Sequence, residues 1–198
     1  MFLCLLRRAH LSAQVRVMSV FVDTKGDHRG GEALGRVVRV PGAQVVREAV
    51  KYGRVCWAIP KADRTGELNA LVREVERVGD RIRRPWIRIK VDEAQQYSVT
   101  GVARGVTYQD APLERLACEG LGLGVAVDFI TQRPAGLNPG VRENFGEAIV
   151  FECTDEALGT LRSWRWPVDD WKQHLANAHH FVAYDGRATR FCRPVPLS

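Results

Sequence analysis

The chain has 198 residues, of which 45% are hydrophobic and 26% charged, with a formal net charge of +6. That is enough for one domain, residues 1–198, with its own core and no staple of disulfide or metal. No run approaches the roughly 20 apolar residues a membrane helix needs, which excludes a spanning role, and a modest basic excess permits contact with a phosphate backbone without requiring it. Cys4, Cys56, Cys118, Cys153 and Cys192 are scattered without a CxxC pair, which fits reduced packing residues in a cytosol.

In chain order, "MFLCLLRRAHL" lacks the charge order and apolar length of a secretion signal. It reads instead as an amphipathic helix burying Phe2, Leu3, Leu5, Leu6 and Ala9. "VMSVFVD" (17–23) and "RVCWAIP" (54–60) are short β-branched runs closed by turn residues, and are expected as buried strands. From Asp63 to Gly79, Leu68, Leu71, Val72, Val75 and Val78 recur at three-and-four spacing opposite charges, an amphipathic helix. There follow a strand "WIRIKVD" (86–92), a helix near 111–121, a strand "GVAVDFIT" (124–131), a strand "EAIVFE" (147–152) and a helix opened by Thr154 and Asp155. This alternation implies crossover units and a mainly parallel α/β sheet covered on both faces. The tail "HHFVAYDGRATRFCRP" reads as a hairpin turning at Asp185-Gly186.

Ligands of open α/β sheets sit at the carboxyl ends of the strands, so the residues that end each apolar run are the candidates. "VFVD" delivers Asp23 and then Lys25; "IKVD" delivers Asp92 and Glu93; "VDFIT" delivers Thr131, Gln132 and Arg133. An aspartate there can hold Mg2+ through its water shell, and a neighbouring glutamate can orient or deprotonate an attacking water. Each has a plainer reading as a helix cap or turn residue. His174, His179 and His180 lack convincing metal-ligand spacing, and Trp164, Trp166 and Trp171 read as packing anchors with base stacking as the alternative.

A phosphate loop needs G-x-x-x-x-G-K-[ST], and the 198 residues contain no such string. The nearest lookalike, "GGEALGRV", puts Arg36 and Val37 where the lysine and the hydroxyl belong.

"IRIKVDEAQQYS" followed by "LACEGLGLGVAVDFITQRPAGLNPGVRENFGEAIVFECTDEA" resembles the Walker B to sensor region of FtsK/HerA-type P-loop ATPases, which include DNA translocases, type IV secretion coupling proteins and viral genome-packaging ATPases. "VFVDTKGDH" resembles the strand end those proteins carry one helix after the phosphate loop, and the likeness spans roughly residues 1–193. The resemblance implies a three-layer RecA-like core, ATP and Mg2+ as cofactors, DNA as partner and a homo-oligomeric, usually hexameric, ring in a cytoplasm, a host's if the protein is viral. It makes Asp92 the Walker B residue on the metal side, Glu93 the catalytic glutamate and Gln132 the sensor, with Asp23, Lys25 and Thr131 at the periphery. Leu121 stands where the family places an arginine, so Arg133, Arg115, Arg142 and Arg104 are the candidates for the residue that completes a neighbouring site; Asn138 lies in the same contact region. The loop after Glu93, with Tyr97 and Arg104, would face DNA. The resemblance also places the phosphate loop and its strand ahead of Met1, leaving an open or collapsed slot between the "GVAVDFIT" and "EAIVFE" strands, so that this chain alone is expected to be inactive. The alternative is a non-catalytic DNA-binding or interaction subunit on a decayed ATPase fold; a DEAD-box helicase, prompted by "DEAQ", lacks the downstream motifs.

Overall fold

The computed structural model describes residues 3–7, 17–25, 31–82, 86–98 and 107–194. In chain order these form β1 (Leu3–Arg7), β2 (Met18–Asp23), α1 (Gly31–Leu34), β3 (Arg36–Val38), α2 (Gly42–Tyr52), β4 (Arg54–Ala58), α3 (Arg64–Ile82), β5 (Ile87–Val91) and α4 (Pro112–Glu119). Then come β6 (Val125–Thr131), α5 (Pro139–Arg142), β7 (Glu147–Val150), α6 (Asp155–Ser163), α7 (Trp171–Leu175), β8 (Phe181–Tyr184) and β9 (Thr189–Cys192).

One nine-stranded sheet runs β3-β4-β2-β5-β6-β1-β7-β8-β9. Strands β3, β4, β2, β5 and β6 are mutually parallel, and β8 and β9 close an antiparallel hairpin on β7. At the hairpin turn Gly186 takes φ +84°, and the Asp185 carboxylate accepts from the backbone N–H groups of Arg187 and Ala188. The crossover helices follow from their apolar stripes. In α3, Leu68, Leu71, Val72 and Val75 are buried against Val20, Val22, Trp57, Ile87, Ile89 and Val91, the inward-facing residues of β2, β4 and β5. Val125, Val127 and Phe129 of β6 continue that core, and Leu158, Leu161 and Trp171 of α6 and α7 complete it. The α6 start matches its expected cap, with the Thr154 hydroxyl accepting from Ala157 N.

Strand β3 and helix α2 are among the elements that escape the reading from sequence. Strand β3 has three residues, too few for a periodicity, and α2 has no capping side chain of its own. Its first N–H, from Gly42, is bound by the Glu67 carboxylate of α3 at 2.5 Å. A tertiary contact therefore replaces the local start signal that marks most helices.

The N-terminal helix expected over residues 1–11 is corrected: residues 3–7 are strand β1, paired antiparallel to both β6 and β7. The slot between those strands is accordingly neither open nor closed, but filled. Two neighbouring strands with unpaired interior edges leave N–H and C=O groups without partners, and a short extended apolar segment satisfies both rows at once. Six apolar residues are too few for their spacing to separate helix from strand. The charged Asp128 in the middle of β6 is also accounted for: it is 2% exposed and takes both arms of Arg88, at 2.7 and 2.9 Å, from β5.

Candidate functional site at the carboxyl edge of the sheet

Strands β2, β5 and β6 end level with one another, since Val22 pairs with Val91 and Val91 with Phe129. Their next residues therefore meet at one edge. Asp92 anchors its strand end by donating its N–H to the Val22 carbonyl at 3.2 Å, and its own carbonyl accepts from the Thr24 hydroxyl at 2.6 Å. With its single proton so used, Thr24 Oγ1 accepts from the buried Tyr97 hydroxyl at 2.8 Å. Tyr97 is 2% exposed, and burial raises its pKa above the usual tyrosine value. Its placement on a DNA-facing loop is thus corrected: the ring is core and its hydroxyl locks β2 to β5. Arg104 lies outside the described residues.

Glu93 follows Asp92 in the left-handed region at φ 50° and is 9% exposed. A non-glycine residue in that conformation is unusual and marks a turn held by its surroundings. Both carboxylate oxygens are engaged. Oε1 lies 3.4 Å from Lys25 Nζ at the end of β2, and Oε2 accepts from Gln95 Nε2 at 2.5 Å. Gln95 in turn accepts at Oε1 from the Thr131 hydroxyl, 2.5 Å away at the end of β6. Lys25 also donates its backbone N–H to Asp23 Oδ1 at 3.1 Å.

The structure thus joins Asp23, Lys25, Asp92, Glu93 and Thr131 in one constellation. Gln132 and Arg133 sit on the same strand end with exposed side chains. The residue that sequence reasoning missed is Gln95. "DEAQ" contains it, but nothing local shows that its side chain would turn back to Glu93 and across to β6.

Two candidate arginines lie elsewhere. Arg115 is 3% exposed, ion-paired with Glu76 of α3 and bonded to the Gln109 carbonyl, so it fastens α4 to α3 and presents no free guanidinium. Arg142 stacks over the Trp164 ring at 5.3 Å and lines a cavity of about 590 Å3 with Glu143, Phe145, Trp166 and Tyr184. That cavity adjoins Glu147, where β7 begins, toward the opposite edge of the sheet. The tryptophans pack on one another and on Tyr184, as packing anchors do. His174 stacks on His180 at 4.7 Å and bonds the Cys192 carbonyl, tying α7 to the hairpin.

The fold, a mixed α/β architecture with a mainly parallel sheet, matches that of solved structures in the class of P-loop nucleoside triphosphatases. Among solved structures, the chain is similar to the genome packaging NTPase B204 of Sulfolobus turreted icosahedral virus 2. Against its complex with AMPPCP the TM-score is 0.68 at 14% identity, covering 92% of this chain and 85% of that one. Against its complex with ATP-gammaS the TM-score is 0.63 at 15% identity, covering 91% and 84%. B204 described as the DNA-packaging ATPase from Sulfolobus turreted icosahedral virus matches with a TM-score of 0.66 at 13% identity, over 91% of this chain and 84% of that one. No protein-family model and no curated protein sequence matches the chain.

The class implies a magnesium-bound nucleoside triphosphate, and the residues present fit part of it. Asp92 and Glu93 have the chemistry of the metal and water side. Among the described residues no group of three or more His, Cys, Asp or Glu side chains is placed to hold a metal ion. The phosphate side does not fit. The lookalike "GGEALGRV" leads into β3, the outermost strand, and its Gly35 is a packing glycine: a Cβ there would come within 2.7 Å of the Arg54 backbone of β4. Strand β1 runs the wrong way to deliver a loop, because Leu3 lies beside Thr131 and Arg7 beside Val127.

Proposed function

We propose that this chain is an ATPase subunit of a DNA-translocating or genome-packaging motor of the FtsK/HerA type, carrying the acid and sensor half of the site. The observation that supports it most is the joining of Glu93 to strand ends on both sides, β2 through Lys25 and β6 through Gln95 and Thr131. In this reading Asp92 holds Mg2+ through water, Glu93 activates the attacking water, and Gln132 senses the terminal phosphate. Arg133, exposed at the same edge, is the arginine offered to a neighbouring subunit of a homo-oligomeric ring, with a hexamer the expected size. DNA is the cargo and a cytoplasm, cellular or of a viral host, the location. The reading requires a phosphate loop that these 198 residues do not contain. On this reading the loop belongs to an upstream in-frame segment, a strand followed by a glycine-rich loop and Lys-Thr or Lys-Ser, and that strand would have to take the place β1 holds between β6 and β7. The test is to read the coding DNA upstream of Met1, express the extended form and assay DNA-stimulated ATP hydrolysis. Glu93→Gln should retain nucleotide binding and lose at least about 100-fold in turnover; turnover equal to the parent would refute the assignment.

One observation favours the second reading, a non-catalytic DNA-binding or interaction subunit. Strand β1 completes the sheet, and its carboxyl end, Arg7 beside Val127, points away from the candidate site. A 198-residue chain that binds duplex DNA but no ATP analogue, with no phosphate loop encoded upstream, would establish it.

A further inference from the structure

The hydrogen bonds around Thr131 have a direction. The Arg133 backbone N–H donates to Thr131 Oγ1 at 3.0 Å, occupying one of its lone pairs, and the hydroxyl gives its single proton to Gln95 Oε1, 2.5 Å away. This turns the carbonyl end of the Gln95 amide toward β6 and its NH2 toward Glu93 Oε2. Thr131 is 1% exposed, so no bulk water competes for its hydroxyl. The Gln95 stem is held from behind as well: a Cβ at Gly136 would come within 2.8 Å of the Gln95 Cβ, so the loop after β6 closes directly on it. The donor and the acceptor that begin this chain, Arg133 N–H and Thr131 Oγ1, flank Gln132, whose side chain is exposed. Any change in the Gln132 peptide therefore reaches the Thr131 hydroxyl first.

We propose that Gln95 is a positioning residue: through Thr131 it transmits the state of the Gln132 turn to Glu93 and sets the orientation of that carboxylate. The inference rests on the reading of Glu93 as the group that activates water. It makes Thr131 and Gln95 the link between sensor strand and acid strand.

Thr131→Val keeps the shape and removes the hydroxyl, while Thr131→Ser keeps the hydroxyl. In the nucleotide-free 198-residue protein, 15N-resolved hydrogen exchange of the Gln95 side-chain NH2 reads the relay without any activity. Thr131→Val should speed that exchange by about tenfold, and Thr131→Ser should stay within about threefold of the parent, as expected for loss or retention of one buried hydrogen bond. An unchanged rate in Thr131→Val, or equal acceleration in both variants, overturns the relay. In the extended form, Gln95→Leu should lower kcat by about 10- to 100-fold with KM for ATP changed by less than about threefold, as for a group that orients a base without binding substrate. Thr131→Ser should restore what Thr131→Val loses. If the exchange result holds and no form hydrolyses ATP, the functional reading falls and the relay stands; if ATP is hydrolysed and Thr131→Val turns over like the parent, the relay falls.

Discussion

Glu93 and Gln95 illustrate how a single carboxylate is held in readiness. A lysine alone, 58% exposed at its side chain, would hold Glu93 loosely, because exposed ion pairs contribute at most about 1 kcal/mol. The amide of Gln95 adds direction that a point charge lacks. Other buried and half-buried titratable groups contribute to the response to pH. Burial pushes the Cys56 and Cys153 thiols up to about 11 from a usual 9.0, and the Tyr97 phenol is raised above 10.0. Folded-state values above unfolded ones mean that the stability these groups contribute is fully present below pH 9 and is lost as pH rises from 9 toward 11, where the unfolded chain releases protons the folded chain retains. The expected outcome is a urea midpoint that is flat from pH 7 to about 8.5 and declines above about 9, with a shallower decline in the Cys56→Ala/Cys153→Ala double variant. A midpoint that holds constant to pH 11 would contradict the burial of these groups.

At the scale of elements, α2 and α3 approach each other closely at Gly42. A Cβ on Gly42 would approach the Glu67 carbonyl oxygen to 2.0 Å, a distance no side-chain rotation relieves. Gly42→Ala should therefore cost about 1–3 kcal/mol by chemical denaturation, despite the higher helix propensity of alanine, while Gly159→Ala, whose Cβ meets nothing within 4 Å, should stabilise by a few tenths to about 1 kcal/mol. The same contact shows where reading from sequence stops. Helix α3 was legible because its own residues carry the apolar stripe, and α6 because Thr154 caps it locally. Helix α2 was not, since its cap is Glu67, 25 positions away. The site divides likewise. Asp23, Asp92, Glu93 and Thr131 were legible because a strand end is a local signal, whereas Gln95 acquires its partners only when β5 and β6 lie side by side. Tyr97 misled for the converse reason: a polar-looking loop gives no sign that its aromatic ring folds inward onto Thr24.

For the whole molecule, β1 joins the parallel strands to β7 and the hairpin. Four residues bond two strands at once, from Leu3 opposite Thr131 and Val150 to Leu6 opposite Asp128 and Glu147. Leu5→Pro removes an interior N–H and introduces a ring that a doubly paired strand cannot accommodate, so it should cost about 3 kcal/mol or more, or prevent folding. Slow amide exchange at Cys4 to Leu6 would be the direct sign of this pairing; exchange at random-coil rates there would place these residues outside the sheet. The connectivity also bears on synthesis. The residues of β1 acquire their second neighbour only after Val150 has emerged, so the whole stretch from β1 through β7 must exist before the middle of the sheet can close. Until then β1 presents a bare edge to the cell, an interval in which a chaperone, or another strand, has its opportunity.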